Sequence, residues 1–79
     1  MMLAMNWIIE HIDTAEQAVY LKHAGSGVAR RFCVPGAREA FWARGRADLL
    51  LVQASTGYMW EIEPHTGRRR RRPMCCIYA

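Results

Sequence analysis

The chain has 79 residues, 52% of them hydrophobic and 10% aromatic. That is enough for one compact domain spanning residues 1–79, too short for two cores, and too apolar for a disordered tail. The net charge of +4 is unevenly placed: residues 1–63 carry six bases and seven acids (6 − 7 = −1), residues 64–79 five bases and no acid (+5).

A basic patch on a nearly neutral body suits a localised anionic partner, either a nucleic-acid backbone or an acidic protein surface. Residues 1–5 lack a basic stretch and Glu10 follows closely, so no secretory leader is expected. No run reaches the roughly 18 apolar residues of a membrane span. Cys33, Cys75 and Cys76 are odd in number and two are adjacent, unlike the even, spaced set of a secreted scaffold. The expected location is the cytoplasm of a host cell.

Residues 6–13 are rich in β-branched and aromatic side chains and predict a strand. Trp7, Ile9 and His11 would share one face, and isoleucines on both faces predict an inner strand. Residues 14–24 admit two readings. Asp13 with Glu16 permits a short capped helix ending at Gly25; a turn followed by a strand over Ala18–His23 is preferred, because Val-Tyr-Leu fits a pleated surface. Gly25-Ser26-Gly27 makes a turn, and residues 28–34 form a third strand with Val28, Arg30, Phe32 and Val34 on one face.

The spacing of Ala40, Ala43, Ala47, Leu50, Leu51 and Ala54 predicts the principal helix, over about 37–55. Gly45 would cost that helix roughly 1 kcal/mol. Trp42 would sit beside the alanine stripe, as core or as a partner anchor near Arg38, Arg44 and Arg46. Tyr58 to Glu63 alternates as a strand, residues 64–67 form a turn, and the chain returns through Arg68–Arg72 towards Met74–Tyr78. In that hairpin Glu63 opposes Arg68, Glu61 opposes Arg70 and Met59 opposes Arg72, while Arg71 opposes Trp60. Arg68 and Arg70 would be held by acids, leaving Arg69, Arg71 and Arg72 for a partner. The fold expected is α+β: an antiparallel sheet of four to five strands with one principal helix on one face. No internal repeat stands out.

Chemistry is sparse. His11, His23, His65 and the three cysteines lack the paired close spacing of a zinc site. Cys33 reads as a buried structural thiol, and facing arginines account for Glu61 and Glu63 better than acid–base catalysis does. No glycine-rich phosphate loop is present. No enzyme, metal or cofactor is expected. The binding residues expected are Arg68, Arg69, Arg70, Arg71 and Arg72, with Trp42, Arg38, Arg44 and Arg46. The arginine run could meet phosphates, dock on acidic protein, or serve as a solvated edge that discourages strand addition.

The element order resembles that of small phage and prophage accessory proteins of the anti-defence, anti-CRISPR-like type. It is carried by Trp7 to His11, Val19-Tyr20-Leu21, Arg30-Arg31-Phe32, an Ala- and Asp-containing helix, and the Tyr-x-Trp-Glu-Ile segment from Tyr58 to Ile62. The resemblance implies a non-catalytic inhibitor that docks on a host protein or ribonucleoprotein complex. The alternative is a small DNA- or RNA-binding protein that holds the phosphate backbone through Arg68–Arg72. The +5 segment departs from the acidic mimics common among such inhibitors.

Overall fold

The computed structural model describes residues 6–74, which form seven strands in two antiparallel sheets. The first sheet is a meander of β1 (Trp7–Asp13), β2 (Ala18–His23) and β3 (Ala29–Cys33). The second is a meander of β4 (Ala37–Ala43), β5 (Arg46–Ala54), β6 (Tyr58–Ile62) and β7 (Arg69–Pro73). None of these elements is a helix, so none crosses a membrane as one. The expected α+β fold is therefore corrected to an all-β one.

The helix over 37–55 is two strands joined at Arg44-Gly45. Gly45 takes φ 78°, which a tight hairpin turn needs and a helix interior does not. Across β5 the burial follows a period of two: Leu50, Val52 and Ala54 are buried, while Leu49, Leu51 and Gln53 are half-exposed. Pairing of β4 and β5 is irregular between Ala37 and Glu39 and between Trp42 and Ala43. With those irregularities Ala37, Ala40 and Trp42 all end up on one face.

The two sheets stack through a core of Trp7, Val19, Leu21, Phe32, Val34, Ala37, Leu50, Val52 and Ile62. Stacked sheets usually lie about 10 Å apart, yet β1 and β4 bring Cα atoms within 8 Å. The small Ala37 and Ala40 on β4 permit that approach. Inner rows of the first sheet read Ile9–Leu21–Arg30 and Ile12–Val19–Phe32. Inner rows of the second read Trp42–Leu50–Ile62–Arg69 and Ala40–Val52–Trp60–Arg71.

β1 lies at the edge of its sheet, not inside it, and Ile8 is 49% exposed. A bulge between Ile9 and His11 turns His11 outward, onto Tyr20 at 4.6 Å, and brings Ile12 to the core. Residues 14–17 form a turn: the Glu16 amide donates to Asp13 Oδ1 at 2.9 Å. The capping pair seen in the sequence closes a hairpin instead of opening a helix.

Gln17, at φ 57°, is the one non-glycine residue with positive φ among the described residues. Its carbonyl accepts from Val34 N at 2.8 Å and its side-chain Oε1 from Gly36 N at 2.8 Å. Both bonds hold the crossover from β3 to β4. The expected strand over Cys75–Tyr78 lies outside the described residues.

Candidate binding edge and arginine cleft

β6 and β7 pair as Met59↔Arg72, Trp60↔Arg71, Glu61↔Arg70 and Ile62↔Arg69. Glu63 N donates to the Arg68 carbonyl at 2.9 Å. This is the register predicted from Pro64-His65-Thr66-Gly67, and it sends alternate arginines to opposite faces.

On the outward face Glu61 holds two arginines. Arg70 Nη2 lies 3.3 Å from Glu61 Oε1, and Arg72 Nε lies 3.5 Å from Oε2. The Glu61 side chain is 17% exposed and that of Arg70 is 66% exposed. The carboxylate is anchored while the guanidinium stays at the surface. Exposed pairs contribute roughly 0.2–1 kcal/mol each, so these contacts aim the arginines more than they stabilise the fold. Glu63 does not take Arg68 as expected; it accepts from Thr66 Oγ1 at 3.1 Å within the turn.

The inward arginines are spoken for as well. The Arg71 guanidinium lies 4.4 Å above the Tyr58 ring, not over Trp60. Arg69 crosses between the sheets: its Nη1 donates to the Cys33 carbonyl at 2.5 Å, and its guanidinium lies 6.0 Å from Phe32 and 5.8 Å from Trp60. The division expected from the sequence is thus redrawn. Arg69, Arg71 and Arg72 all have partners, and Arg68 has no side-chain partner among the described residues.

Beside β7 lies an open cleft of about 340 Å³. Arg46, Arg68, Arg69 and Arg70 supply its cations, Glu61 and Glu63 its anions, and Leu49 its apolar wall. Arg46 grips Asp48 by two bonds, Nε to Oδ1 and Nη2 to Oδ2, each 3.2 Å. That hydrogen bonding raises the pKa of Arg46 and lowers that of Asp48. Outer rows of the sheet run Phe41–Leu51–Glu61–Arg70 and Glu39–Gln53–Met59–Arg72. The first of these passes from apolar through acidic to basic.

Of the residues expected beside the run, only Arg46 lines the cleft. Arg38 is exposed at the irregular start of β4 and Arg44 at the β4–β5 turn. Trp42 sits on an inner row against the core, so its placement beside a helical stripe is corrected. The aromatic on the outward face is Phe41, 36% exposed. Strand alternation from Trp42 would have found it; a helical reading hid it.

The first sheet carries a different outward cluster. Tyr20 Oη donates to Glu16 Oε1 and accepts from Arg31 Nε at 3.1 Å, and Arg31 Nη1 donates to Cys33 Sγ at 3.0 Å. The Tyr20 hydrogen bond, then the Cys33 charge, raises the Arg31 pKa. Cys33 is exposed, which corrects the expected buried thiol. His23 and His65 meet with ring centroids 6.4 Å apart, and Trp7 Nε1 donates to His65 Nε2 at 3.4 Å. Among the described residues no three His, Cys, Asp or Glu side chains converge as a metal site. No protein-family model matches the chain, and searches of curated proteins and of solved structures find no match either.

Proposed function

We propose that this chain is a non-catalytic binding protein that docks on an acidic protein surface through β7 and the outward face of the four-stranded sheet. The observation that carries the reading is the composition of that face. Arg68, Arg70 and Arg72 stand in line at the edge, with the carboxylates of Glu61 and Glu63 in the cleft beside them. Exposed Phe41 and half-exposed Leu49 and Leu51 lie next in the sheet. Arginine and aromatic side chains together are typical of protein interfaces. A phosphate backbone is anionic throughout, whereas an acidic protein surface can set carboxylates beside the arginines and a neutral or cationic group beside Glu61 and Glu63. The narrower reading, a phage or mobile-element inhibitor that blocks a host nucleic-acid-handling complex, rests on the resemblance over Trp7 to His11, Val19 to Leu21, Arg30 to Phe32 and Tyr58 to Ile62 alone, since the helix counted with them is the β4–β5 hairpin.

Fluorescence anisotropy of the labelled chain against polyglutamate and against single-stranded DNA tests this. Saturable binding to polyglutamate, lost when Arg68, Arg70 and Arg72 are all replaced by Ser, is the expected result. Tighter binding to the oligonucleotide, with a salt slope that the triple variant reduces by about 0.7 per lost contact, would transfer the function to nucleic acid.

A further inference from the structure

The partner's mode of attachment can be taken one step further, resting on the reading above. A protein sheet edge offers unpaired peptide groups, and β7 offers them in regular order. Glu63 N to Arg68 O and Met74 N to Gly57 O, at 2.9 and 3.2 Å, bracket the β6–β7 ladder. Alternation then turns the peptide groups of Arg68, Arg70 and Arg72 towards β6, and those of Arg69 and Arg71 outward.

Two of the other three edges are irregular, and the third is partly occupied. β1 carries its bulge between Ile9 and His11, and β4 is irregular at both ends. On β3 the bonds His23 N to Val28 O and Val34 N to Gln17 O turn Ala29, Arg31 and Cys33 outward, but Arg69 already occupies the Cys33 carbonyl. Among the described residues β3 and β7 are each regular over five consecutive pairs, and of the two β7 is the one with no outward peptide group already bonded.

Arginines on an edge ordinarily repel another strand. They repel a basic strand, and a neutral one would desolvate them without supplying a counter-charge. β7 shows which strand they accept, because its inner neighbour β6 presents Glu61 to Arg70 and Arg72. Arg70 and Arg72 keep much of their side chains exposed after those contacts, at 66% and 46%, and each guanidinium has five N–H donors to share.

We propose that β7 is a strand-addition site for an extended acidic segment with carboxylates at alternate positions. The added strand pairs its backbone with Arg69 and Arg71. Its carboxylates lie on the outward face beside Arg68, Arg70 and Arg72, repeating on the outer side the pairing that β6 makes on the inner side. Pro73 closes the edge at one end, since it has no N–H to donate.

The test uses the unaltered protein and a capped peptide alternating glutamate and threonine, in three forms: unmodified, N-methylated at odd residues, and N-methylated at even residues. A strand added to one side of β7 turns only alternate amides towards it. One methylated form should therefore lose at least ~10-fold in affinity while the other binds as the unmodified peptide does, the scale of lost backbone hydrogen bonds. The amides of Arg69 and Arg71 should also slow in hydrogen exchange when the peptide is bound. Arg71→Pro removes an outward donor and leaves the β6 ladder intact, so it should weaken binding more than Arg71→Gln.

Equal binding by both methylated forms, or unchanged exchange at Arg69 and Arg71 under saturating peptide, overturns strand addition while leaving a charge-driven acidic partner standing. Failure of the unmodified peptide and of polyglutamate alike removes both readings. Displacement of bound peptide by single-stranded DNA at lower concentration than by polyglutamate would hand the edge to nucleic acid.

Discussion

The two sheets are built to one plan and finished differently. β1 and β4 are both seven residues long and begin and end 30 positions apart (37 − 7 = 30; 43 − 13 = 30). In each sheet the turn between the second and third strands, β2–β3 and β5–β6, contains a positive-φ glycine, Gly27 at 78° and Gly57 at 94°. Phe32 and Ile62 are buried on their third strands. At the start of the plan the first sheet places Trp7 and the second places Ala37, and both are buried. Bulk on one side and small side chains on the other let a core close in so short a chain. The second sheet then adds β7, and with it the charge. A shared scaffold serves packing in one half, and packing plus an exposed basic edge in the other.

The largest test of that comparison is in the middle of each sheet. Leu21 on β2 and Leu50 on β5 are both fully buried. Leu21→Ala and Leu50→Ala should each destabilise by about 2–5 kcal/mol, seen as matching drops in the urea midpoint within a single cooperative transition. Two separated transitions would divide the sheets into independent units and end the shared-core account.

A smaller effect distinguishes two glycines of the second half. Gly36 has φ 72°, and an added Cβ would lie 2.7 Å from Ser55 Oγ and 3.3 Å from Ser55 N. Gly45 has φ 78° with nothing within 4 Å. Left-handed strain alone costs an alanine about 1–2 kcal/mol. Thermal unfolding should rank Gly36→Ala clearly below Gly45→Ala. Equal loss would mean that the crossover gives way around a methyl group.

The smallest effect sharpens the contrast between the outward clusters. Glu61 anchors two arginines and is 17% exposed; the Glu16 side chain, beside Tyr20 and Arg31, is 50% exposed. Glu61→Gln should cost up to about 1 kcal/mol, and Glu16→Gln a few tenths at most. Both values come from chemical denaturation at low salt, and the Glu61 effect should shrink as salt is added.

Much of this layout was legible in the chain, for local reasons. Ala18–His23 is a strand because Val-Tyr-Leu is, and the β6–β7 register follows from a turn set by Pro64 and Gly67 between two alternating segments. The error over residues 37–55 was local too. Alanine spacing suggested a helical stripe, whereas Arg44-Gly45 between apolar runs was the hairpin signal that mattered. What no local pattern contains is the reach of Arg69 to Cys33, 36 residues away, or the meeting of His23 with His65. Those contacts exist because two sheets stack, and stacking is decided by the inner rows together. The candidate edge was therefore visible as an arginine strand, while the allegiance of each arginine was not.

Gln17 has a consequence for the order of assembly. The turn between β1 and β2 supplies both acceptors that pin the β3–β4 crossover, one main-chain and one side-chain. Until that first hairpin closes, neither acceptor is in place to steer the later half of the chain. The direction of the second sheet is thus written into a residue made well before it. A chain growing from its N-terminus has the guide ready before the strands that need it.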